Sequence, residues 1–124
     1  MMSRILVIDD DAQFRGMLCQ VLGRAGYEVV EASNGKEGLD LFRAEPTDLV
    51  ISDILMPEQE GLQTIRELRH EFPETKIIAI SGGGPGGSMN FLKAARLLGA
   101  ARTLWKPFDL DELRQAVHEV LNPS

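Results

Sequence analysis

The chain has 124 residues and a hydrophobic fraction of 44%, which suffices for one domain with a core of ordinary size. A net charge of -6 without a basic run argues against direct binding to nucleic acid or to an anionic membrane, and favours protein partners. One cysteine excludes an internal disulfide, and no stretch is long and apolar enough for a membrane span or a signal peptide, so we expect a reducing, cytoplasmic location.

Short apolar runs alternate with longer stretches of helical periodicity along the whole chain. The first helical stretch ends at Gly26, a stop signal, and the last is opened by Asp109 as an N-cap. Strands are predicted near 4–8, 27–31, 48–52, 76–80 and 101–105. Helices are predicted near 12–25, 35–44, 61–71, 88–98 and 109–121.

Five strand–helix units in tandem predict a single α/β domain over residues 1–124. Right-handed crossovers between such units produce a parallel sheet with helices on both faces. The apolar character of the strands agrees with burial on both faces. In sheets of this kind a ligand site lies beyond the carboxyl ends of the strands.

Acidic residues close two of the predicted strands. Asp9 and Asp10 follow the run Ile5 to Ile8, and Asp53 follows the run Leu49 to Ser52. Carboxylates that meet at one sheet edge repel one another and need a cation or strong donors to stay ionised. Oxygen ligands without cysteine or histidine favour magnesium, manganese or calcium over zinc. Ser81 and Lys106 directly follow two further predicted strands, which completes a constellation of five polar residues.

On these residues the chain resembles the response-regulator receiver domain of bacterial two-component signalling. The resemblance extends from Ile5 to about Leu121 and rests on an ordered set of segments. They are ILVIDDD at 5–11, DLVISDILMP at 48–57 with Gly61 after it, IAISG at 78–82 and KPF at 106–108. The resemblance implies a flavodoxin-like doubly wound sheet with strand order 2-1-3-4-5.

The resemblance also implies a magnesium site, with manganese as a possible substitute. Asp10 and Asp53 would bind the metal directly, the backbone carbonyl of Leu55 would add a ligand, and Asp9 would act largely through water. Few protein ligands suffice because magnesium keeps several of its waters. The metal would offset negative charge on a transferring phosphoryl group.

Three residues receive roles in phosphoryl transfer by the same resemblance. Asp53 would be the nucleophile that takes a phosphoryl group from a sensor histidine kinase or a histidine phosphotransfer protein. Lys106 would pair with a phosphoryl oxygen, and a cis Lys106–Pro107 bond is expected to aim it inward. Ser81 would donate a hydrogen bond to the phosphoryl group. The domain would catalyse only its own phosphorylation and dephosphorylation, and would switch binding to a target protein or output domain.

Two alternatives remain open on the sequence. A haloacid-dehalogenase-like phosphatase would use Asp9 and Asp11 with Ser81 and Lys106. This alternative leaves Asp53 unexplained, and it expects a cap and a final acidic motif after the lysine, where the chain has room for one helix only. A phosphorylation-independent interaction module is the other alternative. For Asp11 itself, a helix N-cap is the favoured interpretation.

The chain departs from the receiver pattern at two places. Thr103 stands where an aromatic residue is common, three positions before the lysine, so a rotating ring is not available there. The run at 82–87 has five glycines and a proline, which predicts a loop in place of the start of the fourth helix. We therefore expect the switch to be carried by this loop and the helix after it. Nucleotide binding by the loop is disfavoured because no Gly-Lys-Ser/Thr follows.

Overall fold

The computed structural model describes residues 2–54, 60–81 and 93–123. The strands are β1 Arg4–Ile8, β2 Glu28–Ala32, β3 Leu49–Asp53, β4 Ile77–Ser81 and β5 Arg102–Trp105. The helices are α1 Ala12–Arg24, α2 Gly35–Ala44, α3 Glu60–Glu71, α4, whose described part is 93–97, and α5 Leu110–Leu121. The prediction therefore matches each element as far as the structure describes it, and β2 to β5 begin one residue further along the chain than predicted.

All five strands pair in parallel in the order β2-β1-β3-β4-β5, which confirms the predicted doubly wound sheet. The order of the strands reverses between β1 and β3. In open α/β sheets this switch point is where a crevice forms beyond the carboxyl ends of the strands. The register pairs Ile8 of β1 with Ser52 of β3, so the residues that follow them emerge side by side.

Alternating strand residues supply two separate cores, one on each face of the sheet. Leu6, Ile8 and Val50 pack with buried residues of α2, α3 and α4 on one face. On the other face, Val7 and Ile51 pack with buried residues of α1 and α5. Helices therefore cover both faces, as predicted. Within the described ranges, no helix has the length and apolar character needed to cross a membrane.

Two predicted capping residues begin their helices as expected. The Asp11 carboxylate accepts hydrogen bonds from the backbone N–H groups of Gln13 and Phe14 at the start of α1. The Asp109 carboxylate accepts one from the backbone of Asp111 at the start of α5. Each cap satisfies N–H groups that have no partner within the helix. The cap interpretation of Asp11 is confirmed.

Candidate functional site

Three carboxylates meet at the switch point of the sheet. Asp9 and Asp10 follow β1, Asp53 ends β3, and one oxygen from each lies within 4.8 Å of the others. Asp9 is 1% exposed and Asp53 is 5% exposed, whereas Asp10 is exposed. The neighbours Asp9 and Asp10 thus present one buried and one accessible carboxylate to the same site. The acid cluster predicted from the strand ends is present.

Lys106 compensates two of these acids from the end of β5. Its ammonium Nζ donates to Asp9 Oδ2 at 3.0 Å and to Asp53 Oδ2 at 3.1 Å. The Lys106–Pro107 peptide bond is cis, as expected. Burial lowers the pKa of Lys106, but the hydrogen bonds and charges of the two aspartates outweigh it and leave the pKa raised. The ammonium is therefore protonated throughout the physiological pH range.

The charge of the site suits a divalent cation. With all four groups ionised, Asp9, Asp10, Asp53 and Lys106 leave a formal charge of -2. Clustered carboxylates of this kind keep their charge most easily when a metal offsets it. The candidate ligands at the cluster are all carboxylate oxygens, and these suit magnesium or manganese better than zinc. The residues that the structure describes therefore fit the metal that the sequence implied.

Ser81 ends β4, the strand next to β3, and is fully buried. Its Oγ has no hydrogen-bond partner among the residues that the structure describes. A buried hydroxyl without a partner costs about 1–3 kcal/mol. Such a cost is tolerated where an additional ligand oxygen can supply the missing partner.

The turn after β1 is held by hydrogen bonds that fix Asp9. The backbone N–H of Asp11 donates to Asp9 Oδ1 at 2.9 Å, and Arg15 Nη1 donates to the Asp9 carbonyl at 2.7 Å. Arg15 is itself held by Glu31 of β2 at 3.0 Å. These contacts limit the rotation of the Asp9 carboxylate, whose other oxygen accepts from Lys106. The turn therefore presents Asp9 in one orientation.

Gly61 allows α3 to approach the strand that carries Asp53. A Cβ added to Gly61 would lie 2.3 Å from Ile54 Cα and 2.5 Å from the Asp53 carbonyl oxygen. Both are backbone atoms, which cannot move aside as a flexible side chain can. The sequence marked Gly61 only through the family resemblance, and the contact supplies its physical reason.

Two residues of α1 belong to the site although the sequence did not mark them. The ring of Phe14 lies with its centroid 4.0 Å from Lys106 Nζ, and Arg15 holds the Asp9 carbonyl as described above. In the sequence Phe14 belonged only to the apolar stripe of a helix. The available signal was position, because both residues lie in the first turns of a helix that begins directly after the acids.

Several sequence predictions lie outside the described residues. The backbone carbonyl of Leu55, proposed as a metal ligand, falls in the range 55–59. The glycine-rich run at 82–87 and the predicted start of the fourth helix fall in the range 82–92. Those predictions stay predictions. Thr103 is described, and it lies partly buried in β5 opposite Ala79 of β4.

Known proteins are similar to this chain over almost its whole length. The family model described as "Response regulator receiver domain" matches residues 5–118. The chain is 34% identical to the chemotaxis protein CheY of Bacillus subtilis, over 98% of this chain and 100% of the relative. It is 31% identical to sporulation initiation phosphotransferase F of the same organism, over 98% of this chain and 95% of the relative.

A solved structure agrees with these relatives. The response regulator receiver domain protein from Clostridium thermocellum superposes with a TM-score of 0.89 at 31% identity, over 98% of this chain and 95% of that one. The fold, the strand order and the sequence relatives all indicate the same family. The chain belongs to the response-regulator receiver domain family of two-component signalling.

Proposed function

We propose that residues 1–124 form one phosphoacceptor receiver domain in which Asp53 takes a phosphoryl group in a magnesium-dependent reaction. The observation that carries the proposal is the pairing of one ammonium with two buried carboxylates at the switch point, beside an accessible third acid. Lys106 and the Ser81 hydroxyl, which has no partner within the described ranges, would supply donors for phosphoryl oxygens from two strand ends. The carboxylates, the ammonium and the hydroxyl proposed to take part in the transfer lie at one edge of the sheet.

In the proposed reaction a carboxylate oxygen of Asp53 attacks the phosphorus of a phosphohistidine on a partner protein. A P–O bond to Asp53 forms as the P–N bond to the imidazole breaks, and the leaving imidazole takes its proton from solvent. Lys106 offsets charge on one phosphoryl oxygen, and Ser81 donates to another. Asp10 and Asp53, with the Leu55 carbonyl, would hold magnesium or manganese directly, and Asp9 would act largely through water; the metal would further offset the phosphoryl charge. Hydrolysis of the acyl phosphate returns Asp53 and inorganic phosphate.

The signalling consequence would be a change in protein binding. We expect a phosphoryl oxygen to accept from the Ser81 hydroxyl, which has no hydrogen-bond partner among the described residues, and so to draw Ser81 toward Asp53. The donor would be a sensor histidine kinase or a histidine phosphotransfer protein, and the receiver of the signal a target protein or an output domain. The domain would catalyse only its own phosphorylation and dephosphorylation.

The phosphatase alternative has less support than it had on the sequence. It requires Asp11 beside Asp9 as a second functional acid. The Asp11 carboxylate instead accepts from two backbone N–H groups at the start of α1. The acid that joins Asp9 and Asp10 in the cluster is Asp53, which the phosphatase mechanism does not use.

Phosphorylation with acetyl phosphate and magnesium tests the proposal. Borohydride trapping followed by mass spectrometry should locate a single acyl phosphate, at Asp53. The Asp53→Asn variant keeps the shape of the side chain and should take no label, while Asp11→Asn keeps the helix cap and should be labelled like the wild type. Labelling at Asp9 would support the phosphatase instead, and undiminished labelling of Asp53→Asn would exclude Asp53 as the acceptor.

A further inference from the structure

Lys106 has a third contact besides its two carboxylates. The ammonium lies 4.0 Å from the centroid of the Phe14 ring. The ring is itself braced by Phe108, two residues beyond Lys106, in an edge-to-face pair with centroids 5.7 Å apart and planes at 83°. Phe14 and Phe108 both pack against the core that α1 and α5 share with the sheet. The ring therefore has a fixed position from which it can hold the ammonium.

From this geometry we infer that Phe14 is a positioning residue, which keeps the Lys106 ammonium at the phosphoryl site through a cation–π contact. The inference rests on the proposed role of Lys106 in phosphoryl binding. A cation near the face of an aromatic ring is attracted by the ring quadrupole, and more strongly when both are withdrawn from water. The Lys106 side chain is only 18% exposed, so the contact is partly desolvated.

The contact between the Phe14 ring and Lys106 should matter more when metal and a phosphoryl group are bound. In the resting site Asp9 and Asp53 each accept from the ammonium. A phosphoryl group would modify Asp53, and a divalent ion would compete for Asp9 and Asp53. Of the three contacts, only the one with Phe14 involves no oxygen atom that the metal or the phosphoryl group would engage. Loss of the ring should therefore destabilise the site with ligand bound more than the site without ligand. Only such a difference in free energy between the two states changes ligand affinity.

The first test observes the contact directly in metal-free protein. Lys106 is one of four lysines, so lysine labelled with carbon-13 at the ε position gives a spectrum that Lys106→Met assigns. The ring current of Phe14 should shift the Lys106 ε-methylene protons upfield of those of the other lysines. Phe14→Leu should abolish this shift, and Phe14→Tyr, which keeps the ring, should retain it. A wild-type Lys106 signal that coincides with the other three would overturn the inference.

The second test measures the consequence with beryllofluoride and magnesium. Trp105, the single tryptophan, lies beside Lys106 and supplies a fluorescence signal for the titration. Phe14→Leu should weaken the apparent affinity about fivefold, as expected for a partly desolvated cation–π contact, and Phe14→Tyr should restore it. Met17→Ala, an exposed position one turn along the same helix, is the control for nonspecific effects on α1 and should bind like the wild type.

A double-mutant cycle separates positioning from packing. In the Lys106→Met background, Phe14→Leu should cause no further loss of affinity, because the ammonium it acts on is absent. An equal loss in both backgrounds, or no loss in either, would overturn the inference. If the wild-type protein takes no beryllofluoride, the proposed function of the site fails, and the ε-methylene signal of Lys106 still decides whether Phe14 holds the ammonium.

Discussion

Removing the Lys106 ammonium should destabilise the metal-free protein, because it leaves two buried acids without their shared cation. Asp9 and Asp53 are 1% and 5% exposed, and each accepts one hydrogen bond from Nζ. Breaking a buried pair by removing one partner costs about 3–5 kcal/mol. The Lys106 side chain is 18% exposed, so solvent screens part of the interaction, and we expect a loss of about 2–4 kcal/mol for Lys106→Met. Methionine preserves the apolar stem of the side chain.

Urea unfolding in the presence of a chelator measures this loss, provided that the slope of the transition stays unchanged. Lys93→Met is the matched control, since it removes the same charge from an exposed position of α4 and should shift stability little. Adding magnesium should narrow the gap between Lys106→Met and the wild type, because the ion replaces the lost positive charge. A Lys106→Met protein as stable as the wild type without metal would refute the proposed electrostatic coupling.

Three further predictions concern other parts of the fold. Gly61→Ala should lower the free energy of unfolding by about 1–3 kcal/mol, because its Cβ would meet backbone atoms of Asp53 and Ile54. Gly23→Ala, in an open position of α1, should raise the free energy of unfolding by about 0.5–1 kcal/mol, and urea unfolding of both variants checks this. Asp10→Ala should weaken magnesium binding by calorimetry without lowering the metal-free stability, since it removes an exposed acid from a cluster of like charges. Burial, followed by the charge of Glu31, raises the pKa of the Cys19 thiol to about 11, so native protein should react slowly with iodoacetamide up to about pH 9 and faster as the pH approaches 11. Unfolded protein loses the thiol proton near pH 9 and should react quickly at a lower pH than native protein; equal rates in the two states would contradict the burial of the thiol.

Local sequence features determined the elements and the edge of the sheet at which the site lies. Helical periodicity located α1, and the preference of aspartate for N-caps placed the helix starts at Asp11 and Asp109. These signals depend on residues within one or two turns of one another, so one sequence suffices to interpret them. Five strand–helix units limit the fold to few topologies, and the polar residues after successive strands must then share one edge.

The contacts within that edge were decided by the tertiary structure. Lys106 pairs with carboxylates 97 and 53 residues away, and periodicity carries no information about such distances. The adjacent residues Asp9 and Asp10 differ in burial because the chain turns from β1 toward α1 between them. Phe14 looked like an ordinary core residue until the packing of α1 against the end of β5 placed its ring over the ammonium. Sequence pattern specifies which face or edge a residue occupies, whereas the atoms that it meets depend on how separate elements pack together.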